Sequence, residues 1–121
     1  MTNEAKYIRI FKQEADEHLT NLSLGLLKLE QEPENAPIIR ELMRNAHTLK
    51  GSAKMLGLDH IGNIAHKMED IFKAVEGGEI KITPPLIDML LLGTDTIKEI
   101  VDKISEGKPP EVDVDGLVSL L

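Results

Sequence analysis

The chain holds 4 histidines, and a neutral imidazole attacks phosphorus at physiological pH where a lysine is mostly protonated and a serine needs an activating base. His47 is the one whose neighbours suit that task. It lies in the run Ala46-His47-Thr48-Leu49-Lys50-Gly51-Ser52-Ala53. On a helix, Arg44, His47, Lys50, Gly51 and Lys54 fall three, four or seven residues apart and share one polar face. A cation one turn along, with a residue lacking a side chain beside the ring, leaves room for a large anionic group. His47 can therefore accept a phosphoryl group and pass it on. Lys50 would offset the phosphoryl charge, Gly51 would let the donor approach, and Arg44 and Lys54 would extend the cationic surface.

Such an acceptor needs its other ring nitrogen held, because a hydrogen bond from Nδ1–H fixes the tautomer and leaves the lone pair on Nε2. Glu69 is the candidate partner. Gly62, His66, Glu69 and Lys73 share a face of the following helical segment, which an antiparallel packing brings alongside His47. Taken singly, each residue has an ordinary structural reading: a solvated histidine, an exposed lysine, a capping or close-packing glycine. Their conjunction points to chemistry.

Four amphipathic segments must position these groups. From Glu4 to about Glu32, Ile8, Phe11, Ala15, Leu19, Leu22, Leu26 and Leu29 recur at helical spacing. Gln31 to Asn35, with Pro33, is a break, Asn35 a cap, and Pro37 a residue tolerated in the first turn of a second helix ending near Met55. Leu42, Met43, Ala46, Leu49, Ala53 and Leu56 form its apolar stripe. Gly57 ends it, and Asp59 is placed as the cap of a third helix, His60 to about Glu76, stopped by Gly77-Gly78. Thr83 with Pro84 and Pro85 opens a fourth, whose apolar positions include Leu86, Leu90, Ile97, Val101 and Ile104. Ile80 and Ile82 alternate as in a strand, but the segment is too short to outweigh the helices around it. Gly107 to Pro110 is a second break, and Asp113 to Leu121 reads as a short helix docking on the bundle or leading onward. The expected fold is all-α: an antiparallel up-down-up-down four-helix bundle over residues 1–107, then a linker and short C-terminal helix over 108–121.

Composition excludes several alternatives. The 121 residues fit one domain, and with aromatics at 2% the core must be aliphatic. A net charge of −7 argues against nucleic acid as a partner. With no cysteine there is no disulfide framework, thiolate metal site or thiol nucleophile. No histidine pair four residues apart suits zinc and no Glu-x-x-His set suits a di-iron centre, so no metal is expected. No glycine-rich phosphate loop is present, so this chain should bind no ATP and no other cofactor by itself. Neither a signal peptide nor a bilayer-spanning apolar run appears, which suggests a soluble, cytoplasmic protein with no direct membrane insertion.

The run from Ala46 to Ala53, with Leu56-Gly57-Leu58 and Ile64-Ala65-His66-Lys67-Met68-Glu69-Asp70, resembles the histidine phosphotransfer (HPt) domain of CheA-type chemotaxis histidine kinases. Gly78-Glu79-Ile80, the long fourth helix and the segment from Val112 to Leu121 extend the resemblance, whereas short relay HPt domains commonly lack that tail. It implies a four-helix bundle with the phosphoacceptor at His47, the neighbouring lysine at Lys50, the glycine at Gly51, the carboxylate partner at Glu69 and a second histidine near the site at His66. Lys54 stands where several relatives carry a small residue, which alters how basic the docking surface is. The resemblance further implies ATP as donor through a separate kinase domain, acting within a dimer and commonly on the partner subunit, and a response-regulator aspartate as acceptor. Two other readings stay open: a relay domain charged by a receiver aspartate, and a helical adaptor that is never phosphorylated.

Overall fold

Turn-forming residues set the helix ends in the computed structural model, which describes residues 3–107 and 114–121. Helix α1 covers Asn3–Gln31 and α2 covers Ala36–Met55. Between them the Asn35 side chain accepts a hydrogen bond from the Ile38 N–H at 3.2 Å, with Pro37 in a first turn that lacks intrahelical acceptors for its amides. Gly57, at φ 72°, makes the left-handed turn that ends α2. Helix α3 covers Asp59–Glu76 and α4 covers Pro84–Ser105, where Thr83 Oγ1 accepts from the Leu86 N–H at 3.3 Å. One expectation is corrected. Leu58, not Asp59, occupies the cap of α3, and no side chain bonds that helix end. Asp59 lies one position inside, where its negative charge still suits the helix N-terminus. Ile80 and Ile82 form no strand. Of the second break, expected at Gly107 to Pro110, Gly107 takes a left-handed φ of 74°, and Lys108 to Asp113 lie outside the described residues. Helix α5 covers Val114–Leu120 and packs on α3, with Leu117 buried in the core.

Helices α1 and α2, α2 and α3, α3 and α4, and α4 and α1 are packed neighbours, which closes a four-membered ring. Each seam is antiparallel. On α1 and α2, Gly25 faces Leu42 and His18 faces Asn45; on α2 and α3, His47 faces Glu69 and Lys54 faces Gly62. The stripes read from the sequence meet inside: Leu22, Leu26, Leu42, Leu49, Met68, Phe72, Leu90 and Ile97 are fully buried. Leu86 and Ile104 of the expected α4 stripe are half-buried, and Ile87 and Ile100 are buried with the rest. A Cβ on Gly25 would stand 2.7 Å from Leu42 Cδ2, so glycine lets the α1 backbone come close to that leucine.

Charge ties α1 to α4. Lys12 Nζ donates to Asp16 at 3.0 Å and Asp102 at 2.9 Å, and Lys98 Nζ repeats the pattern at 3.0 and 2.9 Å. Partial burial would raise the Asp16 carboxyl, but donation from Lys12 and Lys98 holds it below its ordinary value. Asp102 is held low chiefly by hydrogen bonds from the same two lysines.

Two consequences are measurable. Leu42→Ala removes a buried side chain and leaves a cavity, so urea unfolding should show a loss of about 2–5 kcal/mol. Because the Asp16 and Asp102 carboxyls lie low in the folded chain, their contribution is present above the ordinary carboxyl value and disappears as pH falls through the folded values. An Asp16→Asn, Asp102→Asn double variant should therefore lose less stability than the parent between about pH 6 and about pH 3.

Candidate functional site

The burial pattern of α2 forces His47 to the rim. Leu42, Ala46, Leu49 and Ala53 point into the core, so residues 47 and 50 flank the stripe on the α3 side. On α3, Ala65, Met68 and Phe72 are buried, and Glu69 is carried beside them into the α2–α3 seam. The two helices pack antiparallel, and the groups meet.

His47 Nδ1 lies 2.6 Å from Glu69 Oε2, and Lys50 Nζ donates to Glu69 Oε1 at 2.7 Å. A carboxylate only accepts, so Nδ1 carries the proton and Nε2 keeps the lone pair. Exposure separates the partners sharply: the His47 side chain is 64% exposed, that of Lys50 20% and that of Glu69 only 3%. Burial alone would raise the Glu69 carboxyl, but the hydrogen bonds from Lys50 and His47 and the Lys50 charge hold it below its ordinary value. Glu69 is thus an ionised buried group that fixes an exposed imidazole. A second cation stands near it, with Lys73 Nζ 3.8 Å from Oε2.

The remaining expected site residues fall less evenly. A Cβ on Gly51 would meet nothing within 4 Å, and its backbone has no positive φ, so neither packing nor conformation requires glycine there. Lys54 is exposed, and its aliphatic stem crosses α3 at Gly62, where a Cβ would come 2.9 Å from Lys54 Cγ. Arg44 is exposed and paired with Glu41 on its own helix. His66 is on the same face of α3 as Glu69, but its Nε2 is 3.7 Å from Asp70 and it makes no hydrogen bond or ion pair with His47, Glu69 or Lys50 among the described residues.

Two features carried no role in the sequence reading. Lys73 was placed on the Glu69 face, and its four-residue spacing from Glu69 is the signal for their contact. Asn45 is buried beside Ala46; its Oδ1 accepts from His18 Nδ1 at 2.9 Å and its Nδ2 donates to the Glu41 carbonyl at 2.9 Å. That pair locks α1 to α2 next to His47. No group of three or more metal-ligating side chains occurs among the described residues.

Comparison with known proteins places this geometry. The model of the Hpt domain family matches residues 6–107. The Chemotaxis protein CheA of Halobacterium salinarum is 33% identical over 112 residues, which are 93% of this chain and 17% of that protein. The chain thus spans less than a fifth of that relative's length. The CheA phosphotransferase domain from Thermotoga maritima is 38% identical and superposes with a TM-score of 0.82, covering 86% of this chain and 98% of that domain. The phosphorylated P1 domain of CheA3 in complex with CheY6 from R. sphaeroides shares the fold at 21% identity, with a TM-score of 0.84 over 95% of this chain and 91% of that one. A family match running from the first turns of α1 through the end of α4, on a bundle superposing with a CheA phosphotransferase domain, makes this chain a member of the Hpt domain family.

Proposed function

We propose that the chain is the phosphoacceptor domain of a CheA-type two-component histidine kinase, with His47 as the phosphorylated residue. The single observation carrying this reading is the 2.6 Å bond from His47 Nδ1 to a buried carboxylate while the ring itself stands mostly in water. In the proposed reaction, ATP held by a separate kinase domain presents its γ-phosphorus to Nε2. The Nε2 lone pair forms the N–P bond, the bond from phosphorus to the β,γ-bridging oxygen breaks, and ADP leaves with that electron pair. Nδ1 keeps its proton, so the ring becomes a phosphoimidazolium whose positive charge faces Glu69. Transfer onward reverses the electron flow: a carboxylate oxygen of a response-regulator aspartate attacks phosphorus, and the N–P electrons return to Nε2.

Glu69 positions and polarises the ring, and Lys50 keeps that carboxylate charged while adding positive potential beside the transferred group. Gly51 leaves open space next to His47 for the partner's approach, and Arg44 and Lys54 contribute the cationic rim on which it docks. His66 is the weakest member of the proposed set, since Asp70 is its partner. The partners in this reading are the kinase domain, in cis or across a dimer, and a receiver domain. The R. sphaeroides P1 domain of the same fold, phosphorylated and bound to CheY6, supplies a precedent in that protein for the second partner. The setting is cytoplasmic, where ATP is available, and no helix among the described residues is long and apolar enough to cross a membrane.

Incubation with a CheA kinase domain and labelled ATP should give acid-labile, base-stable label on the parent chain and none on His47→Gln. Label persisting in that variant would remove His47 from the role. Glu69→Gln, checked for retained helical circular dichroism, should slow labelling by about 10- to 100-fold, within reach of what one positioned proton-holding group contributes. An unchanged rate would show that the Nδ1 bond does not serve the reaction.

A further inference from the structure

We infer that Lys73 is a phosphoryl-binding residue: its ammonium leaves Glu69 and closes on the phosphoryl oxygens once His47 carries them. This rests on the phosphoacceptor reading of His47 and concerns the same site.

Glu69 is flanked on its two oxygens by cations of different kinds. Lys50, 20% exposed, donates at 2.7 Å to Oε1; moving it would leave a buried carboxylate oxygen without a donor. Lys73 is 59% exposed and its Nζ stands 3.8 Å from Oε2, beyond hydrogen-bond range on a side chain open to solvent. Of the two, only Lys73 can change partner without stripping a buried group of its hydrogen bond.

Its side is also the right one. Oε2 is the oxygen that accepts from His47 Nδ1, so Lys73 lies on the imidazole side of the carboxylate and Lys50 on the other. Helix directions reinforce this. Side chains on a helix lean toward its N-terminus. On α2 that carries His47 toward the level of Met43 and Arg44. In the antiparallel register that pairs residue 47 with 69, this level faces Lys73, which leans back toward Glu69. The two side chains converge from opposite helices. The other nearby cations are otherwise engaged: Arg44 on Glu41, and the Lys54 stem across Gly62, two turns from His47.

Charge supplies the drive. Before transfer, two ammonium groups surround one carboxylate, a local excess of positive charge. Addition of a phosphoryl dianion to Nε2 places the larger negative charge at the open side of the ring, and the exposed ammonium gains more there than at an oxygen already satisfied by an N–H donor. Bound to Lys73, the phosphoryl oxygens push less electron density toward phosphorus, and loss of the group to water slows.

Phosphoramidate, a small donor needing no kinase, labels the intact chain directly, and the parent, Lys73→Met and Lys73→Arg are compared by ³¹P NMR and by the rate at which label is lost. Lys73→Met should shift the phosphohistidine resonance and shorten its half-life about threefold, while Lys73→Arg restores both. A purely structural ion pair on α3 would alter thermal unfolding without moving the ³¹P resonance. Equal resonances and half-lives in parent and Lys73→Met, or equal changes in both variants, would overturn the inference while leaving His47 as acceptor. Absence of label on His47 in the parent would overturn the underlying reading and this inference together.

Discussion

Glu69 holds a negative charge in a place that water barely reaches, and the α2–α3 seam is arranged around keeping it there. An ionised carboxylate in such a position is costly unless its oxygens are satisfied by charged or polar donors. Lys50 takes one oxygen and His47 the other. The consequence runs both ways, since the carboxylate that needs the imidazole N–H for its own satisfaction thereby dictates which ring nitrogen stays free. Without the imidazole N–H a buried carboxylate oxygen would lose its donor, so the tautomer of His47 is fixed by the same interaction that stabilises the seam.

The hydrophobic pattern delivers the groups to that seam. Ala46 and Leu49 on α2, and Met68 and Phe72 on α3, are buried, which leaves residues 47, 50 and 69 no azimuth except the edge where the helices meet. The seam with α1 is fixed by a different device. Asn45, buried, donates its amide hydrogen to the Glu41 carbonyl of its own helix and accepts on its oxygen from His18 of α1, so a rotation of α2 about its axis would strand that oxygen. The residue before Ala46 thus anchors α2 on one flank while His47 is held on the other. An imidazole held by Glu69 on a helix anchored at its other flank is preorganised in the sense catalysis requires.

Most of this was legible before any coordinates. The stripes of α1 to α4 follow from periodicity, and Asn35, Thr83 and Gly57 behave as their turn chemistry dictates. The partnership of His47 with Glu69 was also readable, because an acceptor histidine needs a carboxylate and Glu69 shares a face with Gly62 and His66. What periodicity could not resolve is which of several polar residues on one face reaches a given atom. His66 is closer to Glu69 in sequence than His47 is, yet it sits one turn from Asp70 and pairs there. Lys73 was visible on the face, but its closeness to the imidazole side of Glu69 depends on which carboxylate oxygen each donor takes. Asp59 has the chemistry of a cap, but the tight turn at Gly57 starts α3 one residue earlier, with Leu58 in the cap position. Helix edges and side-chain partners depend on packing distances of an ångström or two, below what a pattern of residue types encodes.

An open site suits the phosphoacceptor role proposed for it. A group that receives phosphoryl from one protein and delivers it to another needs access for both, so a deep pocket would serve one partner and exclude the other. The structure meets this by dividing the labour across the surface of the bundle. The rigid part, a buried carboxylate and its half-buried lysine, lies in the seam, and the imidazole is left mostly in water with open space at Gly51 beside it. Precision comes from the buried side of the ring and permissiveness from the exposed side. In the proposed reading the bundle can remain small, because it has to orient one imidazole and leave the nucleotide and the second carboxylate to be brought by its partners.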